Sequence, residues 1–192
     1  MPSATYLLRG PRVAIRHVTV QDRAELAALS RQSTGLHGPW MPQREMTPEA
    51  FTRYLSRFEQ PSHEGLLICL CDTGEIAGAV NINNIVRGAL QNGTLGYVAY
   101  SSTTGRGYMT EGLGLVVRYA FDELGLHRLE ANIQPGNTRS ARLVARLGFR
   151  LEGHSPAFQF IDGAWRDHDR WALTAEMSPA APPVGEGDRN GP

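Results

Sequence analysis

A strand can return parallel to a neighbour only through a crossover of a dozen or more residues, and residues 94–134 contain one. Thr94–Tyr100 reads as a strand and leads into Gly105-Arg-Gly107. A long helix follows, with Leu113, Val116, Val117, Ala120, Phe121 and Leu124 on one apolar stripe. Arg128–Gln134 is the next strand, with Leu129, Ala131 and Ile133 on one face. A β–α–β unit of this kind takes a right-handed crossover.

The chain before this unit has a different grammar. Arg12–Val18 reads as a strand; Thr19 then opens a helix to about Gln32, with Asp22 completing a capping box. Gly35–Pro42 is a loop broken by glycines and prolines, and Thr47-Pro48 starts a helix bearing Phe51, Tyr54, Leu55 and Phe58. Leu66–Cys71, Ile76–Ile85 and Thr94–Tyr100 form an antiparallel meander, turned at Asp72-Thr-Gly74 and Asn92-Gly93. After the crossover, Asn137–Leu147 is a helix ended by Gly148. Phe149–Glu152, Phe158–Ile161 and Trp165–Leu173 then close the fold, with a hairpin turn at Asp162-Gly163. The expected class is α/β: a mixed, mostly antiparallel sheet around the β–α–β core, with a C-terminal hairpin. Residues 1–177 are expected to form one domain, and 178–192 a disordered tail rich in proline and glycine.

Charge excludes several function classes. Nineteen Lys and Arg balance nineteen Asp and Glu, so no broad basic footprint for nucleic acid or anionic lipid is expected. Every one of those basic residues is arginine, which removes a P-loop lysine, a Schiff-base lysine and a lysine general base together. No apolar run approaches membrane-helix length, and Met1–Pro11 lacks a signal core. Cys69 and Cys71 sit too close in sequence for an easy bridge and read as thiols, so a cytoplasmic location is expected. Asp167-His-Asp169 hints at a metal, but alternation sends His168 to the face opposite both aspartates, and no metal is expected.

Chemistry concentrates in Gly96–Thr110. A strand, a small-residue turn with two glycines and a helix start make backbone N–H groups converge, which suits a phosphate or pyrophosphate. A plain strand-to-helix turn fits the same residues. The pattern is not G-x-G-x-x-G, because Thr110 stands at the third glycine. Gly112 and Gly114 lie inside the helix, where each costs about 1 kcal/mol against alanine, and read as close-packing positions.

The ordered series Asn84-Ile-Val-Arg-Gly88, Leu95-Gly-Tyr97, Gly105-Arg-Gly107, Asn137-Thr-Arg-Ser140, Arg146-Leu-Gly-Phe149, Leu151-Glu-Gly153 and Asp162-Gly-Ala-Trp-Arg-Asp-His168 resembles the GNAT superfamily of N-acetyltransferases. Within it the chain is most similar to the RimJ/RimL branch of ribosomal-protein N-terminal acetyltransferases, and to RimJ in particular. The likeness covers about residues 10–175. It implies the GNAT fold and an acetyl-CoA donor, with the pyrophosphate on the backbone of Gly105, Arg106, Gly107, Tyr108 and Met109, beside Thr110. The pantetheine arm would lie where the strand ending at Val98, Ala99 and Tyr100 splays from Arg128–Gln134. Asn137 would bind that arm and Ser140 would protonate or stabilise the leaving thiolate; as sequence, Asn137 is also a good helix cap. Glu130 is a candidate base or a structural anion, and Trp40, Asn83 and Tyr97 are candidate acceptor contacts, Trp40 being equally a plug at the core edge.

Three positions depart from the resemblance: Ser102 stands where a larger polar residue often precedes the first glycine, two glycines interrupt the long helix, and Ser155–Gln159 carries no carboxylate. That last absence bears on the acceptor. An α-amine titrates near 7.7–8.0 and a lysine near 10.4, so at pH 7.5 about a third of the first but only about 0.1% of the second is neutral. The expected reaction is direct attack of an N-terminal alanine or serine amine on the thioester in a ternary complex. Acetylation of a small amine, such as a metabolite or antibiotic, and a silent acyl-CoA-binding regulator are the alternatives. A monomer or homodimer is expected, without nucleic-acid or membrane contact.

Overall fold

A computed structural model of the chain describes residues 5–38, 40–42 and 45–178 and gathers the strands into one eight-stranded sheet. The order of elements is β1 (Leu8–Arg9), β2 (Val13–His17), α1 (Arg23–Gln32), α2 (Thr34–His37), α3 (Pro48–Ser56), β3 (Glu64–Leu70), β4 (Ile76–Val86), β5 (Asn92–Ala99), α4 (Tyr108–Arg118), β6 (Arg128–Ile133), α5 (Thr138–Arg146), β7 (Arg150–Ile161) and β8 (Ala164–Thr174). Across the sheet they run β1-β2-β3-β4-β5-β6-β8-β7. Only the β5–β6 pair is parallel, as the crossover through α4 requires. The architecture is therefore the mixed, mostly antiparallel α/β sheet expected from the sequence.

Two cores sit on the two faces. Against α4, Ile68, Val80, Ile82, Leu113, Val116 and Leu129 pack together, all fully buried. A Cβ on Gly112 would run into the Ile68 side chain, so this glycine lets α4 approach the sheet. Gly114 has only an ordinary neighbour, Leu147, at 3.6 Å, so its expected close packing is corrected. On the other face Leu26 of α1 and Phe51 of α3 cover Leu67, Cys69 and Tyr100. Caps were legible: Asp22 Oδ2 accepts from Thr19 N–H at 2.7 Å, and Thr47 Oγ1 accepts from Ala50 N–H at 3.2 Å.

Three local expectations change. Asn92-Gly93 lies inside β5, and the turn falls earlier, with positive φ at Gly88 and Gln91. Gly93 is small for packing: a Cβ there would lie 2.6 Å from Ile82 Cγ2. The loop expected from Gly35 opens within the short helix α2. Phe149–Glu152 and Phe158–Ile161 belong to one strand, β7, which carries an irregularity between Ser155 and Gln159, where Ala157 adopts φ 46°. Apart from Ser178, the tail expected over 178–192 lies outside the described residues.

Candidate active site

The pairing of β5 with β6 stops early. Asn92 to Leu95 pair with Arg128 to Ala131, after which β5 continues to Ala99 and β6 to Ile133 without a ladder between them. Opening a parallel pair leaves backbone groups free along the gap. Tyr100 N–H donates to the Ala77 carbonyl at 3.4 Å, while the Ala99 carbonyl accepts from His37 Nε2 at 2.7 Å. Backbone groups alternate sides along a strand, so Val98 turns toward β4 while Tyr97 and Ala99 aim their N–H groups into the gap. Of the strand end expected to hold the cofactor arm, Val98 therefore turns its N–H away from the gap, and its two neighbours face it.

A cleft of about 170 Å³ occupies this opening. Tyr97 of β5, Asn137 at the cap of α5 and Ser140 in its first turn line it, with Asn132 of β6 and Gln134 just beyond that strand. Trp40 forms another wall, and Gln159 of β7 and His168 of β8 close the end. No Asp, Glu, Lys or Arg lines it among the described residues.

The two sides differ in chemistry. Tyr97 packs with the α4-side core, and its phenol meets Ser140 Oγ at 2.6 Å. Burial pushes the Tyr97 phenol up to about 12, against the opposing pull of the Ser140 hydrogen bond, so it stays a proton carrier at neutral pH. Asn137 Oδ1 accepts from Ser140 N–H at 3.2 Å, capping α5 and fixing the first turn that carries the serine. Capping occupies Asn137 Oδ1 and leaves its amide NH₂ as a further donor. Asn132 lies on the opposite side of β6 from the buried Leu129, Ala131 and Ile133. Its Oδ1 is buried with no hydrogen-bond partner among the described residues, an acceptor that a ligand N–H would satisfy. Trp40 ties down this side: its carbonyl accepts from Gln134 Nε2 at 3.0 Å, and its ring lies over Gly136, where a Cβ would sit 3.3 Å from Cη2.

The glycine turn lies at the same end of the sheet. Gly105 and Gly107 have φ of 79° and 80°, in the left-handed region, and Gly107 precedes the first turn of α4. Arg106 between them is exposed; Tyr108, Met109 and Thr110 form the first turn of α4 and are half-buried. The first N–H groups of a helix lack intrahelical acceptors, and with the left-handed turn they present converging donors. Met109 covers Gly78, where a Cβ would collide with its sulfur. Thr103 Oγ1 anchors the turn from below, donating to the Ala77 carbonyl at 2.9 Å. Arg12 crosses from the start of β2: Nη1 donates to the Arg106 carbonyl at 2.9 Å and Nε to Glu111 Oε2 at 2.8 Å. Burial works to raise the Glu111 carboxyl, but hydrogen bonds from Arg12 and Val13 N–H hold it below its ordinary value.

The remaining candidates lie elsewhere. Glu130 accepts from Arg128 Nε at 2.8 Å, and Arg128 also binds Glu152, so the carboxylate belongs to an ion-pair cluster and not to the cleft lining. Asn83, one strand from the gap, accepts from Arg57 Nη2 at 2.7 Å. The Tyr100 side chain is buried in the second core. Sequence reasoning missed Asn132, Gln134, Gln159 and His168 as lining residues, and Arg12 as the bracket of the turn. The alternation that placed His168 opposite Asp167 and Asp169 was the available signal; those aspartates pair instead with His154, at 3.5 and 2.9 Å.

Comparison with known proteins gives this geometry a context. The sequence profile described as the acetyltransferase (GNAT) domain matches residues 12–150. The chain is 32% identical over 174 residues to the probable N-acetyltransferase YjcK of Bacillus subtilis, covering 87% of this chain and 96% of the relative. It is 34% identical over 170 residues to the [ribosomal protein uS5]-alanine N-acetyltransferase of Escherichia coli, covering 85% and 88%. Among solved structures it resembles Mycobacterium smegmatis RimJ in complex with CoA-disulfide, with a TM-score of 0.82 and 31% identity over 90% of this chain and 89% of that one.

Proposed function

This chain belongs to the acetyltransferase (GNAT) family, and from that premise we propose that it moves an acetyl group from acetyl-CoA to the α-amine of a protein N-terminus beginning with alanine or serine. The observation that carries this reading is the opened β5–β6 pair, with the Tyr97–Ser140 hydroxyl pair on one side of the cleft and Asn132 on the other. A thioester entering between the strands meets hydroxyls on one side and an acceptor on the other.

Each step has a residue to perform it. The backbone of Gly105 to Met109 supplies N–H donors for the pyrophosphate, in a chain with no lysine to offer. Tyr97 and Ala99 N–H groups aim into the gap and suit the oxyanion that develops as the amine attacks. Asn137 NH₂ and Asn132 Oδ1 suit the amides of the pantetheine arm. Ser140, hydrogen-bonded to a phenol that remains protonated at neutral pH, supplies the proton to the departing sulfur. Catalysis then rests on positioning the two substrates, with no acyl-enzyme: Cys69 is buried on β3, its thiol pushed up to about 11 by burial.

The cleft's lack of carboxylates among the described residues supports this acceptor class. A polycationic amine would enter without a counter-charge, whereas an α-amine carries one charge and sheds it near pH 7.7–8.0. The test is incubation with acetyl-CoA and a panel of peptides beginning with Ala or Ser, alongside small amines including polyamines. Thiol release and a mass increase of one acetyl group on the peptides are expected. Acetylation of the small amines alone would move the reading to a small-molecule enzyme, and acetyl-CoA binding without any transfer would leave an acyl-CoA-binding regulator.

A further inference from the structure

We propose that His168 is the residue that takes the proton from the incoming amine, an inference that rests on the acyl-transfer reading above and assigns the base of the same cleft. Acetyl transfer to an ammonium produces two proton problems on opposite sides of one carbon: the sulfur must gain a proton and the nitrogen must lose two. The Tyr97–Ser140 pair answers the first from the α4 and α5 side of the sheet. His168 stands on the other side. β8 pairs Trp171 with Ala131 and Arg170 with Asn132, so alternation along β8 puts His168 on the face of Asn132 and away from the face of Ala131.

The ring is held for this work. It is 2% exposed, lines the cleft, and its Nδ1 lies 3.0 Å from the Arg166 carbonyl. A carbonyl only accepts, so Nδ1 carries the hydrogen, and the neutral ring then keeps its lone pair on Nε2. Nε2 makes no hydrogen bond among the described residues. Phe158 packs on the ring at 5.7 Å between centroids, delivered by the irregular stretch of β7 in which Asp167 Oδ1 accepts from Ala157 N–H at 2.8 Å. A bulge that places an aromatic ring against an imidazole is the kind of local device found beside reacting groups.

Competing groups are turned elsewhere. Asp167 and Asp169, on the opposite face of β8, bind His154. Glu130 shares Arg128 with Glu152, and Arg170 reaches toward Gly153, where a Cβ would lie 2.8 Å from Nη2. Ser155, opposite His168 in the ladder, and Gln159 beside it are uncharged. Imidazole is the one side-chain type that ordinarily changes charge between pH 5 and 8, and His168 is its sole example in the lining among the described residues.

Nε2 takes one proton from the ammonium, and the freed lone pair forms the C–N bond as the carbonyl electrons move onto oxygen. Collapse re-forms C=O and breaks C–S; the second amine proton leaves to solvent. The sulfur takes a proton from the Tyr97–Ser140 pair, which regains it from solvent, and His168 returns its own to water. One proton is released overall for each N-acetyl group made.

The test is His168→Asn, which keeps a donor toward the Arg166 carbonyl and removes the base, with His168→Gln as a second variant. At pH 7.0 an α-amine is about 10–15% neutral, so kcat/KM for an Ala-starting peptide should fall about tenfold. At pH 9.0 the amine arrives neutral and the deficit should shrink to about twofold. Acetyl-CoA affinity by calorimetry should stay within about twofold of wild type, and the urea midpoint close to it, because neither touches the base. An equal deficit at both pH values in both variants, or none at either, overturns the assignment. Wild-type protein that binds acetyl-CoA but acetylates none of the peptides overturns the functional reading and this inference together, a result visible before any variant is made.

Discussion

β5 and β6 are adjacent strands of one sheet, yet the two ends of their pairing are different objects. From Asn92 to Leu95 and Arg128 to Ala131 they are laddered, and the side chains between them are core: Leu95, Leu129 and Ala131 are at most 5% exposed. Beyond Leu95 the ladder stops, and polar atoms replace apolar ones, with an orphaned Asn132 Oδ1 and a pair of hydroxyls 2.6 Å apart. The closed half is built to be dry and complete. The open half leaves donors and acceptors unspent, which costs stability unless a ligand meets them. One pair of strands therefore holds the fold together and, a few residues on, opens into the cleft to which the chemistry is assigned.

The sharpest way to break this contrast is to cut into each half and read both stability and activity. Leu129→Ala, in the closed half, should cost about 3 kcal/mol in urea unfolding, because a fully buried leucine leaves a cavity behind. Turnover per folded molecule should stay unchanged; a cost below about 1 kcal/mol would mean that the ladder is not a core element. Ser140→Ala, in the open half, should do the reverse. If Ser140 donates the proton as proposed, kcat should fall by roughly 10²-fold, with acetyl-CoA affinity and the urea midpoint little moved. Tyr97→Phe should resemble it, and the double variant should lose less than the product of the two, because each hydroxyl partners the other. Full multiplicativity would separate them into independent groups.

The same contrast explains what the sequence could say. Apolar periodicity reports burial, so the stripe of α4, the alternation of β6 and the meander were readable from Leu, Val and Ile alone. The Thr47-Pro48 start and the Asp162-Gly163 turn were readable because short polar motifs act locally. Asn92-Gly93 misled because the sequence pattern of a turn was instead a strand glycine needed beneath Ile82, a reason that lies in another strand. For the site, the glycine turn was legible as an anion cradle from its two glycines before a helix start, whereas Asn137 and Ser140 were found through the family resemblance, where spacing alone offered only a helix cap. Asn132, His168 and Arg12 reach their places only through register: Arg170 opposite Asn132, and β2 beside the start of α4. No local pattern encodes that.

A subtler substitution asks whether the open half is really unfinished. Asn132→Leu replaces an orphaned buried acceptor with apolar surface of similar volume. Stability should rise by up to about 1 kcal/mol, since an unsatisfied buried group costs free energy. At the same time the KM for acetyl-CoA or acceptor should rise, because the atom that awaited a ligand N–H is gone. A drop in stability would mean that Asn132 is already satisfied by the protein and that the opening is less polar than described.

The smallest effect belongs to the outer face of the closed half, where Arg128 clamps Glu130 and Glu152 at 2.8 and 2.5 Å. Hydrogen bonds from Arg128 and then Arg150 hold the Glu152 carboxyl down at about 2, against an ordinary value of 4.5. A carboxyl depressed by folding contributes stability that is fully present above its unfolded value. That contribution is lost as pH falls from about 4.5 toward 2, because there the unfolded chain takes up the proton and the folded one does not. Solvent screens this cluster, so the net effect at pH 7 should stay under about 1 kcal/mol. Glu152→Gln should therefore lower the urea midpoint slightly at pH 7, flatten the fall in stability between pH 4.5 and 2, and converge with wild type below it. High salt should shrink the gap at pH 7, while acetyl transfer stays the same. A variant that loses activity there would extend the chemistry into the laddered half and undo the division between the two.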